Sequence, residues 1–228
     1  MRELGEAFVI ALRLIFTGDA EVYQVTLRTL AISCTSTAIG TLLFLPLGSL
    51  VHSYQFRGKR LLVTVIRTLY SMPTVFVGLL VFIFLSRAGP LGGLGLLFTP
   101  TAIVIGEVVL IAPVVTGLVI SALDGVSDEV RDTAVSLGAT RTQTMVTIAR
   151  EARSGLATSV LMGFGRVVSE VGVALMVGGN IRGFTRTLTT AMSLETSMGN
   201  IEFSMALGLI LMTLAFTVSV VAYRVQRR

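Results

Sequence analysis

The sequence predicts an all-α polytopic membrane protein, and three observations carry that prediction. Apolar residues make up 53% of the chain and charged residues only 14%. The mean hydropathy is +0.85, far from the balance of a water-soluble domain. The apolar residues also gather in five runs, at about 25–51, 61–86, 101–123, 155–178 and 203–223. Each run is long enough to cross a hydrocarbon layer, which takes roughly 20 helical residues.

The leader, residues 1–24, comes first. Its "LGEAFVIALRLIF" (4–16) is apolar but short, and it contains Glu6 and Arg13. Those features predict a helix lying in the membrane interface, with a sixth span as the alternative. No run is followed by a small-residue cleavage pattern, which argues against a signal peptide. The transmembrane domain is then 25–223, and Pro46 and Pro73 predict kinks or breaks in its first two spans. A basic tail, 224–228, closes the chain.

Basic residues orient the spans. The loops at 52–60 and 124–154, with the tail, carry Arg57, Lys59, Arg60, Arg131, Arg141, Arg150, Arg153, Arg224, Arg227 and Arg228. The opposite side carries Arg2, Arg13, Arg28, Arg87, Arg182 and Arg186. The excess marks the first side as cytoplasmic in an inner-membrane topology. The N-terminus is expected outside and the C-terminus in the cytoplasm. The net charge of +5 belongs to this loop bias rather than to nucleic-acid binding.

One polar segment, 124–154, lies between the third and fourth spans. Ser127 is placed to cap a helix whose first turn holds Asp128 and Glu129. Val130, Ala134 and Leu137 recur at helical spacing, and Gly138 is placed to stop the helix. Thr140 with Gln143 then forms a capping box for a second helix. The segment reads as a helix–turn–helix elbow outside the membrane. A solvated amphipathic linker is the plainer alternative.

The spacing Asp132-Thr133-Ala134, three residues, Gly138, nine residues, Ile148 resembles the EAA loop of ABC importer permeases. Asp stands where that loop has Glu, and Arg150 and Glu151 stand where it closes on Leu-Pro. The resemblance implies a coupling helix that docks on a partner ATPase. "SMPTVFVGLLV" (71–81) is similar to a stretch of the molybdate-type permeases. Arg166, Glu170, Gly172, Gly179-Asn180 and Thr185 to Leu188 match that family's Arg, three residues, Glu-x-Gly, Gly-Asn and Thr-Arg-Thr-Leu. "TTAMSLETSMGN" (189–200) resembles the tungstate branch more than the molybdate branch. The likeness implies a type I ABC importer transmembrane domain of about five spans plus the leader. It also implies an external binding protein that delivers the oxyanion.

Four ionisable residues fall within spans: Arg67, Glu107, Arg166 and Glu170. Such residues usually face a bundle interior or a pathway. Arg166 and Glu170 are four apart and can pair along a helix face, either to fix helix rotation or to form part of a gate. Arg67 and Glu107 lie at different depths, so water or a partner chain is expected to satisfy each. Glu107 also admits a proton-relay reading, in which the chain is a secondary transporter. The gate and pathway candidates are Pro73, Thr74, Glu107, Arg166, Ser169, Glu170 and Gly172. Gly155, Ser159 and Gly163, with Gly165, Ser169 and Gly172, form small-residue stripes. They suit packing within the subunit better than a dimer contact.

A Walker A loop needs Gly, four residues, Gly, Lys and Ser or Thr. The only lysine, Lys59, is followed by Arg60, so ATP and Mg are expected on a partner ATPase and no cofactor on this chain. His52 is the only histidine and Cys34 the only cysteine, which gives no metal-ligand cluster and no catalytic dyad. A chain this small within lipid is expected to work as a homodimer.

Overall fold

The computed structural model describes residues 2–226, with side chains from residue 8 onward. Arg2 and Glu6 as side chains, and Arg227 and Arg228 altogether, lie outside the described residues. The described residues form α-helices joined by loops: α1 (Arg2–Phe16), α2 (Ala20–Ser53), α3 (Lys59–Thr68), α4 (Thr74–Leu85) and α5 (Pro100–Asp124). Then come α6 (Asp128–Ser136), α7 (Arg141–Glu151), α8 (Arg153–Val168), α9 (Gly172–Gly178), α10 (Leu188–Ser197) and α11 (Ile201–Gln226).

Only α2, α5 and α11 are uninterrupted helices of span length among the described residues. The expected second span is α3 and a 3-10 turn followed by α4, bent by 101° at its break, and the expected fourth is α8 and α9, bent by 58°. The first break has a local cause. Pro73 lacks an N–H and holds Met72 extended, at φ −64° and ψ 131°, so the helix stops there and restarts at Thr74. Pro46, by contrast, lies within continuous α2. The second break is not legible from the apolar pattern, which runs through it without interruption.

The first span begins at Ala20 rather than near residue 25, because Asp19 accepts from the Glu21 and Val22 N–H groups at 3.0 Å and caps α2. At 1.5 Å per residue, α2 is about 50 Å long, well beyond the roughly 30 Å hydrocarbon layer. The leader helix α1 docks on α11, with Ala11 buried. Leu14 joins the apolar cluster of Val22, Val25, Leu188, Ala191 and Leu207. Phe8, Val9 and Phe16 face outward.

Helix α5 is the centre of the bundle. In its most apolar stretch 67% of residues are buried, against 28% for α2 and 17% for α11. α2 runs parallel to it. Ser36 meets Glu107, Gly40 lies on Ile111 and Gly48 on Val119. The expected packing stripe proves internal, since a Cβ on Gly155 would stand 2.8 Å from Ala122 and one on Gly163 2.9 Å from Val115. Gly117 is the tightest case, because an added Cβ would fall 1.8 Å from the Tyr70 hydroxyl. Gly117→Ala is expected to cost about 1–3 kcal/mol through overpacking. Adding Tyr70→Phe should return part of it, read as the melting temperature of the detergent-purified protein.

Candidate functional site: an exposed elbow and two broken spans

The loops expected on one side of the membrane do meet at one end of the bundle. His52 Nδ1 lies 2.7 Å from Asp124 Oδ1, and Lys59 Nζ donates to the His52 carbonyl at 2.6 Å. Arg141 Nη2 donates to the Ser53 carbonyl at 2.9 Å, and its guanidinium sits 4.2 Å from the centroid of the Tyr54 ring. These contacts tie the elbow to the end of α2.

The elbow itself follows the sequence closely. Gly138 adopts φ +79°, a conformation that glycine enters without strain. The Gly138 N–H donates to the Val135 carbonyl at 2.9 Å and the Ala139 N–H to that of Ala134 at 3.0 Å, which is a Schellman closure of α6. Thr140 and Gln143 make both bonds of the capping box, at 2.7 and 3.4 Å. Ser127 occupies the N-cap of α6, but its side chain makes no capping bond there, so the expected cap is supplied by position alone.

The two helices differ in how they are held. α7 is anchored: Thr144 and Ile148 are buried, and Ile148 packs with Val119, Leu123, Ala152 and Leu156. Ile148 therefore roots the elbow in the bundle and is no part of an outer docking face. No residue of α6 is buried. Asp132 and Thr133 are exposed, and Leu137 is 83% exposed. Val130, Thr133, Ala134 and Leu137 line a groove of about 500 Å³. An apolar, unburied helix face on a rooted arm suits contact with another body.

Apart from Glu107, which lies within α5, the gate candidates lie at the breaks, and the breaks face each other. A Cβ on Gly172, at the start of α9, would stand 2.6 Å from Thr74 Oγ1 at the start of α4. A Cβ on Gly78 of α4 would stand 2.9 Å from Met176 and 3.1 Å from Val173 of α9. Gly106 of α5 lies against Val173 from the other side. Thr74 and Gly172 are thus brought together next to Pro73, while Ser169 is exposed and bonds only within its own helix end, to the carbonyls of Gly165 and Arg166.

Arg166 and Glu170 do pair, at 2.8 Å, but not along a continuous helix face. α8 ends at Val168, and Glu170 stands in the break. Its Oε2 accepts from Arg166 Nη1, and its Oε1 accepts from the Val173 N–H at 3.1 Å. One carboxylate therefore holds the last turn of α8 and the first turn of α9. That competition for the Val173 N–H, with Gly172 beside it, is the cause of the bend. The local signal was a Glu three residues ahead of the new helix's first free N–H groups.

Glu107 finds a partner within the chain. It is 2% exposed, and its Oε2 lies 2.6 Å from Ser36 Oγ, a partner that sequence spacing could not reveal. Arg67 reaches Ser121 Oγ at 3.4 Å on the exposed side of α5. Glu107→Gln keeps the shape and a hydrogen-bonding tip, whereas Glu107→Leu leaves Ser36 only the Ile32 carbonyl of its own helix. The expected result is near-normal melting for Gln and a loss of about 0.5–1.5 kcal/mol for Leu, read by thermal melting.

The opposite end carries a second charged cluster. Arg182 pairs with Glu21, and Arg186 Nη1 lies 3.3 Å from Glu21 and 3.4 Å from Glu195. Arg28 donates to the carbonyls of Gly183 and Arg186 at 2.8 and 3.3 Å.

Comparison with known proteins agrees with this architecture. Residues 44–228 match the family model for the binding-protein-dependent transport system inner membrane component. The chain is 39% identical to the tungstate uptake system permease protein TupB of Peptoclostridium acidaminophilum, over 99% of both chains. It is 36% identical to the protein of that name from Campylobacter jejuni, over 97% of this chain and 93% of the other. The Escherichia coli molybdenum transport permease ModB is 29% identical over 75% of this chain and 78% of its own. In fold, the chain superposes on a bacterial alginate ABC transporter with a TM-score of 0.73 at 18% identity, covering 97% of this chain and 83% of the other. It superposes on the methionine transporter MetNI with a TM-score of 0.70 at 20% identity, covering 88% and 92%. The fold is that of a type I ABC importer transmembrane subunit, and the chain belongs to the inner-membrane permease family of binding-protein-dependent ABC transport systems.

Proposed function

We propose that this chain is the permease of an ATP-driven tungstate importer. It acts as a homodimer, with an external binding protein on the side of Arg182 and Arg186 and a cytoplasmic ATPase on the elbow. The observation that carries the reading is the arm itself: α6 leaves its apolar groove bare while α7 is rooted beneath α5 and α8 through Ile148. Force applied at Asp132, Thr133, Ala134 and Gly138 then passes through α7 into α8, whose far end is the Glu170 break. ATP and Mg act on the partner, and the two breaks form the gate.

Tungstate is favoured because both tungstate relatives match nearly the whole chain, at 39% and 36% identity. Molybdate is the alternative, on the 29% identity to molybdenum permeases; both are tetrahedral dianions. The test is uptake by proteoliposomes holding the chain, its ATPase and its binding protein. ATP-dependent tungstate accumulation that requires all three is expected. Uptake by the chain alone down a proton gradient would instead establish the secondary-transporter reading.

A further inference from the structure

Residues 186–189 form a short strut in which each residue holds a different part of the bundle. Arg186 joins Glu21 at the head of α2 to Glu195 in α10. Thr187 caps α10. The Leu188 N–H donates to Thr29 Oγ1 of α2 at 2.8 Å. Thr189 Oγ1 donates to the Glu170 carbonyl at 2.6 Å, and both residues are buried.

That last bond falls at the centre of the second break. A helix end leaves carbonyls without partners inside the helix, and a buried carbonyl left unpaired is costly. The Thr189 hydroxyl satisfies this one. Glu170 is also the residue whose side chain holds Arg166 and the Val173 N–H, so fixing its backbone fixes both halves of the broken span. The strut's other end is accessible. Arg182 is exposed and bound to Glu21, which in turn is bound to Arg186.

We propose that Thr189 is the positioning residue of the gate: its hydroxyl holds the α8–α9 break closed and links it, through Arg186 and Glu21, to the exposed charged end of the bundle. The proposal rests on the importer reading for its direction: a binding protein that engages Arg182 loosens the strut and frees Glu170.

The test uses the assembled complex in proteoliposomes, with Cys34→Ser and Val168→Cys placing one thiol at the break, where Val168 is buried. Thr189→Val keeps the side-chain shape and removes the donor, whereas Thr189→Ser keeps the donor. The valine variant is expected to label faster at position 168 by about fivefold, the effect of one hydrogen bond on an opening equilibrium. The ratio of binding-protein-stimulated to unstimulated ATP hydrolysis should fall in the same variant, and the serine variant should match the parent in both. Should the valine variant fail to assemble, Thr29→Val loosens the strut one residue away and carries the same expectation. Parental labelling and stimulation in the valine variants would overturn the proposal, as would equal damage from serine. A parent complex that hydrolyses ATP without stimulation would count against the importer reading, and labelling alone then decides the role of Thr189.

Discussion

Arg166→Met is expected to be the most damaging single change within the bundle. Glu170 is almost wholly buried, at 2% side-chain exposure, while Arg166 retains 31%. Removing the arginine leaves a carboxylate in the break with only the Val173 N–H to face it. Breaking a buried pair from one side typically costs about 3–5 kcal/mol, because the remaining charge is uncompensated. Adding Glu170→Gln removes that charge and keeps an acceptor for Val173. The double variant should therefore melt well above Arg166→Met in detergent and below the parent. Equal melting of the single variant and the parent would show that the pair holds nothing.

The second large effect is expected at Gly138, and it should fall on partner binding rather than on folding. A Cβ added there meets nothing within 4 Å, but the residue sits at φ +79°. A branched residue in that conformation costs about 1–2 kcal/mol, which the elbow relieves by opening the Schellman turn and swinging α6 away from α7. Gly138→Val should leave the bundle folded, since Ile148 still roots α7, yet lose co-purification with the ATPase. Gly138→Asn, which tolerates the left-handed conformation, should keep it. ATPase bound normally by the valine variant would remove the elbow from coupling.

The contrast between these two sites shows what the sequence could disclose. The elbow is built from local contacts: Gly138, Thr140 and Gln143 satisfy backbone groups within five residues of themselves, so their roles are legible from order alone. The Pro73 break is legible for the same reason. The α8–α9 break is not, because an apolar run continues through it and the carboxylate that ends the helix also reads as a helical pair with Arg166. Ser36 beneath Glu107 and Thr189 on the Glu170 carbonyl are long-range partners whose pairing depends on how α2, α5 and α10 pack. Ile148 was legible as a member of the loop but not as its root, since burial depends on α5 and α8 closing over it.

Driving force is expected to enter this chain by mechanical contact at α6, and the sidedness of Leu137 tests that most directly. In a Cys34→Ser background, Leu137→Cys supplies one exposed thiol for a membrane-impermeant reagent. Labelling only in inverted vesicles, and blocked when the ATPase is bound, is the predicted result. Labelling from outside intact cells would contradict it.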